Sequence, residues 1–243
     1  MATMIEPVRG MPRAVLSAVD WAAVERDLHA QGFAVARGVF DAATCAEVRD
    51  WYAQDLFRSR VVMARHGFGQ GEYQYFSYPL PTLIDEMRHE LYAHLAPIAA
   101  IWAERLGADV SYARDLDGFL AHCHAQGQKR PTPLLLKYGP GDYNRLHQDL
   151  YGGVQFPIQA AVLLSAPGHD FDGGAFVLTE TAPRRQTRAE AVPLGPGDMV
   201  LFAVNQRPVA SAKGFSRVAM RHGVSTVRTG ERYTLGVILH DAA

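Results

Sequence analysis

The chain has 243 residues, a mass of 26.7 kDa, a net charge of −1 and a pI near 6.8, which allows a large buried core and gives no overall attraction for phosphate backbones. With 48% hydrophobic and 20% charged residues it has a globular composition, and no apolar run approaches the ~20 residues that span a bilayer. Two cysteines exclude a disulfide framework, and an N-terminus without the apolar core of a signal peptide adds to the expectation of a reducing cytoplasm.

Residues 1 to about 18 read as a poorly specified arm. Asp20 is placed to cap a helix whose Trp21, Val24 and Leu28 share a face until Gly32 ends it. Phe33 to Phe40 alternates like a strand, and Asp41 then caps a second helix through about Leu56, with Cys45, Val48 and Tyr52 toward the core. Arg58 to Tyr78 is punctuated by glycine and rich in Arg and Tyr, which predicts a loop or irregular hairpin. Its cations and rings could cover a planar or anionic substrate, or simply pack as a surface hairpin. Pro81 to Gly107 has apolar residues at helical spacing, with Pro97 expected to kink or split the helix. Asp115 to Gly127 reads as one more short helix. His122, Cys123 and His124 lie on it, but positions i and i+2 of a helix diverge by ~200° and do not readily chelate one ion.

From Pro131 the chain changes to short apolar runs separated by Gly, Pro and Asp, the pattern of an antiparallel sandwich or barrel. The expected class is therefore α+β. Residues 1–243 form a single domain, with a mainly helical part over 1–130 bracing a jelly-roll core over 131–243.

Within LLLKYGPGDYNRLHQDL, Leu134 to Leu150, a strand and a glycine-rich turn are followed by His147 and Asp149. Two residues apart on a strand, they point the same way and can converge on one cation. Two His and one carboxylate, leaving open positions, make the facial triad of non-haem Fe(II) oxygenases. A third ligand is available in RHGVSTVRTGERYTL, where His222 precedes Arg232 by ten residues. An inward-pointing Arg232 has no reason to sit in an apolar barrel unless it meets a carboxylate.

With His-x-Asp, a distal His and an Arg ten residues further on, the chain resembles the Fe(II)/2-oxoglutarate-dependent dioxygenases over Pro131 to Ala243. The resemblance implies a double-stranded β-helix (jelly roll) in which His147, Asp149 and His222 bind Fe(II) and Arg232 clamps the remote carboxylate of 2-oxoglutarate. Ascorbate is a candidate reductant. KYGPGDYNRLHQD is similar to the corresponding segment of both prolyl-4-hydroxylase-like enzymes and AlkB-type demethylases, and the latter likeness implies that Tyr138 touches the cosubstrate. GFGQGEYQYFSYPLP and the C-terminal segment resemble a bacterial oxygenase family of this superfamily that is often labelled as acting on nucleic acid. The second Arg of AlkB-type enzymes is replaced here by Ile238.

The implied activity is hydroxylation of a small molecule or protein side chain, with O2 consumed and succinate and CO2 released. Oxidative demethylation of alkylated nucleic acid is one alternative, and a non-catalytic jelly-roll metal-binding or sensor protein is another. Arg232 argues against the last, since a metal cage alone does not need it. Val162, Leu164, Leu201 and Val237 are expected to wall the site against water. Arg58, Arg60, Arg65 and the Tyr73 to Tyr78 cluster could form a substrate lid, and Arg184, Arg185 and Arg188 a second basic edge, unless both are solvated faces. The sequence carries no signal for oligomeric state.

Overall fold

In the computed structural model, which describes residues 12–243, three helices begin on an aspartate. Asp20 accepts a hydrogen bond from the Ala23 amide, Asp41 from Thr44 and Asp115 from Gly118, which satisfies one orphan donor at the start of each helix. These helices are α1 (Trp21–Gln31), α2 (Ala42–Asp50) and α4 (Leu116–Ala125), with α3 (Thr82–Leu106) between them. Gly32 and Gly107 close α1 and α3 in the left-handed conformation that glycine adopts without steric cost.

α3 is unbroken across Pro97, contrary to the expected kink or split. Pro97 lies on the exposed face with Ala93, so the Ala93 carbonyl that loses its donor is on the solvent side of the helix. α2 stops at Asp50 rather than Leu56 because the following residues are claimed elsewhere. Trp51–Ala53 form a single tight turn, the Gln74 side chain donates to the Tyr52 carbonyl, and Ser77 donates to that of Leu56. The part of the N-terminal arm that is described is not patternless: Leu16–Ala18 form a 3₁₀ turn with Leu16 buried. Residues 1–11 of that expected arm lie outside the described residues.

Among the described residues fifteen strands, numbered along the chain, make two facing sheets and a two-stranded ribbon. The major sheet runs in the order β1 (Phe33–Ala36), β11 (Met199–Ala203), β7 (Ile158–Leu163), β15 (Arg232–Val237), β5 (Leu134–Tyr138), β4 (Glu72–Phe76), β2 (Phe57–Val62). The minor sheet runs β10 (Arg188–Val192), β9 (Phe176–Thr181), β13 (Gly214–Val224), β6 (Tyr143–His147), β3 (Gly69–Gln70), with β12 (Gln206–Ser211) also paired to β13. β8 (Phe171–Gly173) and β14 (Val227–Gly230) form the ribbon. All named pairings are antiparallel, as in a double-stranded β-helix.

The first 130 residues, although mainly helical, also supply β1, β2 and β4 to the major sheet. The irregular hairpin expected over Arg58 to Tyr78 is β2 and β4, whose register shifts between Phe57 and Ser59. The major sheet is buried on both faces. One face, including Leu135, Val162, Leu201 and Val237, packs on the four helices. The other, including Ala161, Val200 and Phe202, meets Phe176 and Leu178 of the minor sheet. Cys45 and Cys123 are buried free thiols, and burial pushes the Cys45 thiol up to about 11. Among the described residues no helix is long and apolar enough to cross a membrane.

Candidate metal centre

His147 ends β6, and His222 lies directly opposite it on β13, near the end of that long strand. A register shift follows between His222 and Val224, and the two imidazole centroids are 4.2 Å apart. Asp149 lies just past the end of β6, where the chain has left the ladder. Its Oδ1 is 3.3 Å from His147 Nε2 and its Oδ2 is 3.3 Å from His222 Nε2. The three ligand atoms lie within 4.8 Å of one another, the only such group of metal-capable side chains among the described residues.

His147 Nδ1–H donates to the Arg145 carbonyl at 2.7 Å, which turns Nε2 toward Asp149, and, against the opposing effect of burial, the Asp149 carboxylate raises the His147 pKa. Burial, followed by the charge of His147, holds His222 below an ordinary imidazole. Burial disfavours the Asp149 carboxylate, but the two imidazoles outweigh it and hold the group well below its usual range. Two imidazole nitrogens and one carboxylate oxygen, half-buried to buried, form a donor set that could hold a divalent cation with borderline ligand preference.

A cavity of about 550 Å³ runs from this group to Arg232. Arg232 opens β15 and is paired in register with Tyr138 at the end of β5. Arg232 is 2% exposed, and its guanidinium has no carboxylate partner among the described residues. Nη1 donates to Thr234 Oγ1, Nε is buried without a partner, and the group lies 5.6 Å from the Tyr138 ring centroid and 5.9 Å from that of Phe171. Burial pushes Arg232 down to about 10, and it pushes the Tyr138 phenol, also buried and unpaired, up to about 12. A buried cation, hydroxyl and phenol converging without an anion form a site for a carboxylate. Backbone must come close to leave room for it. A Cβ on Gly174, at φ 56°, would lie 2.9 Å from Arg232 Cδ.

The expected walls need correction. Val162, Leu164, Leu201 and Val237 face the helices, whereas Leu134, Leu136, Ala161, Phe176, Phe202 and Val224 line the cavity. A strand buried on both faces is apolar throughout, so its sequence does not tell which alternate set is inside. The basic lid is also differently employed. Arg58 lies over the Tyr75 ring at 4.6 Å and donates to the Pro131 carbonyl at 3.0 Å, Arg60 pairs with Glu72, and Arg65 is exposed. His124 bonds to Asp241, Cys123 is buried, and no chelating group forms there. Arg184, Arg185 and Arg188 are exposed on the connection from β9 into β10. Asp198 ties a turn, accepting from Gly195 and Gly38.

Thr234, Tyr151 and Gln159 are polar cavity residues that the sequence reading did not single out. Thr234 repeats the i+2 rule from Arg232. Gln159 is the polar residue inside the apolar run FPIQAAVLL, and Tyr151, two residues past Asp149 but outside any strand, carried no such signal.

Solved structures share this architecture. It is similar to a 2OG-Fe(II) oxygenase family oxidoreductase from Burkholderia pseudomallei (TM-score 0.52, 17% identity, 92% of both chains covered) and to a Pseudomonas putida prolyl-4-hydroxylase (TM-score 0.50, 18% identity, 89% of this chain and 96% of that one). The fold is that of the Fe(II)- and 2-oxoglutarate-dependent dioxygenase superfamily. More specifically, residues 71–242 match the family described as "oxygenase, catalysing oxidative methylation of damaged DNA", and the chain belongs to that oxygenase family, which makes it an oxidoreductase. A relative in Mycobacterium tuberculosis, the uncharacterized protein Rv2227, is 47% identical over 168 residues, 69% of this chain and 72% of the relative.

Proposed function

We propose that the protein hydroxylates a C–H bond of an apolar group inserted into the 550 Å³ cavity, using His147, Asp149 and His222 as Fe(II) ligands and Arg232 as the partner of the remote carboxylate of 2-oxoglutarate. The observation that carries this reading is the Arg232 corner: a buried guanidinium without an anion at the wall of the same cavity as the His-Asp-His group. Bound Fe(II) and 2-oxoglutarate supply the oxidising chemistry, with O2 consumed and succinate and CO2 released.

The protein's own groups bind, orient and exclude water. Arg232 and Thr234 offer donors from one strand, and Tyr138 a phenolic donor from its neighbour. The Arg145 carbonyl holds His147 in the tautomer that ligates through Nε2. Leu134, Leu136, Ala161, Phe176, Phe202 and Val224 keep the cavity walls apolar, and Phe68, Leu146 and Leu150 continue that character to exposed positions on its lining. This lining favours a small-molecule or side-chain substrate entered through its apolar part. The family description favours a second reading, a damaged nucleobase, which Arg145 on the lining suits better than does the net charge of −1. The test is O2-dependent succinate formation with His147→Ala as control, run against a metabolite and peptide panel and against methylated oligonucleotides. Succinate from the wild type alone supports the enzyme, and none with Fe(II), 2-oxoglutarate and either panel contradicts it. Turnover confined to oligonucleotides selects the second reading.

A further inference from the structure

Asp149 is the one member of the His-Asp-His group that no strand holds. β6 ends at His147, and the segment after it is tied back by the Gln148 side chain, which donates to the carbonyl of Met220 at 2.8 Å. The direction of the carboxylate is therefore set by side chains, and two of them take one oxygen each. Tyr151 O–H donates to Oδ1 at 2.8 Å, and Gln159 Nε2–H donates to Oδ2 at 2.8 Å. We propose that Tyr151 and Gln159 form a two-pronged clamp that positions Asp149 as a metal ligand, one lone-pair direction of each oxygen being spent on the clamp so that the other stays toward the two imidazoles.

Each prong is itself immobilised. Gln159 sits in β7, where every residue is buried, with its register fixed against Phe202 of β11. Its amide can face Asp149 only one way, because a carboxylate accepts and cannot donate. Nε2 therefore points at Asp149, and Oε1 is left buried without a partner on a residue that lines the cavity. A lone glutamine in an otherwise apolar strand costs stability unless its amide is used. Tyr151 is backed edge-on by Tyr75, with ring centroids 6.2 Å apart, and Tyr75 lies beneath the Arg58 guanidinium. The aromatic and basic segment before Tyr78 thus reaches the centre as a buttress: Arg58 holds Tyr75, Tyr75 holds Tyr151, and Tyr151 holds Asp149.

The inference rests on Asp149 being a metal ligand, so the experiment separates the two claims. Co(II) is titrated into the metal-free wild type, Tyr151→Phe and Gln159→Met, following the d–d absorption and the dissociation constant, with a thermal melt of each metal-free protein. Loss of an outer partner of a ligating carboxylate weakens metal binding about 10- to 100-fold, so each variant is expected to bind Co(II) that much more weakly, with a shifted d–d spectrum and a melt close to wild type. A purely structural role would leave the spectrum of the bound metal unchanged. If Tyr151→Phe does not fold, Gln159→Met carries the test. Co(II) affinity and spectrum equal to wild type in the folded variants overturn the clamp and leave the ligand assignment standing. No Co(II) binding by the folded wild type overturns the ligand assignment and the clamp with it.

Discussion

Three arginines are buried among the described residues, and two of them meet a carboxylate. Arg88, on α3, is fully buried and donates to Asp241 Oδ1 at 3.0 Å, to the Leu239 carbonyl at 2.9 Å and to the Tyr78 hydroxyl at 3.1 Å. Arg207 pairs with Glu180. Arg232 is as deeply buried and has only Thr234, the face of Tyr138 and that of Phe171. The difference separates a structural charge from a functional one. Around Arg88 the fold supplies its own anion and pins α3 to the C-terminal segment, whereas around Arg232 it leaves the anion to arrive from solution.

Breaking the first corner has the largest expected effect. Asp241→Asn leaves Arg88 buried beside a neutral amide, and loss of one member of a buried pair costs about 3–5 kcal/mol, read as a fall in the urea midpoint. Arg232→Met leaves no unpaired charge and frees only the Thr234 hydroxyl at the cavity wall, so the ligand-free protein is expected to be about as stable as wild type. Its loss appears instead in calorimetric titration of 2-oxoglutarate into the Mn(II)-loaded protein, where removing a buried carboxylate partner weakens binding by about 2–5 kcal/mol. A stability loss in Arg232→Met as large as that in Asp241→Asn would abolish the distinction.

Acid sharpens the comparison on the structural side. Beside Asp241, the buried His240 accepts the Phe156 amide hydrogen at Nδ1, and burial pushes its pKa down from the ordinary 6.5 to about 4. The unfolded chain therefore takes up a proton below about pH 6.5 that the folded protein refuses until about pH 4. Stability present above pH 6.5 is lost as pH falls through that window, by on the order of 3 kcal/mol at about 1.4 kcal/mol per pH unit. Urea midpoints between pH 7 and 4.5 should fall in the wild type and flatten in His240→Gln. The smallest effect is expected at Tyr138→Phe, which removes one phenolic donor from the Arg232 corner. At about 0.5–1.5 kcal/mol for a hydrogen bond, 2-oxoglutarate affinity drops roughly 3- to 10-fold with no change in the urea midpoint.

The functional corner was the more legible in sequence. His147, Asp149, His222 and Arg232 follow a recognisable order and spacing, and the antiparallel register brings His222 opposite His147. The structural corner was silent. Arg88 falls in an ordinary amphipathic helix and Asp241 near the C-terminus, and nothing local says they meet. The side of the sheet was misread at Val162, Leu164, Leu201 and Val237 because β7 and β11 are apolar on both faces. Gln159 breaks that uniformity and was the unused signal for the inner face of β7, since a glutamine in such a strand needs a polar partner. Pro97 misled in the opposite direction, as its cost depends on whether the freed carbonyl meets water.

The most direct test of the central claim is an anaerobic titration of Fe(II) and 2-oxoglutarate into the metal-free protein, followed by visible absorption. The wild type should develop the charge-transfer band of the keto acid bound to iron, His147→Ala should lose it, and Arg232→Met should require far higher 2-oxoglutarate to reach it. No band in the wild type, or an undiminished band in His147→Ala, would contradict the account.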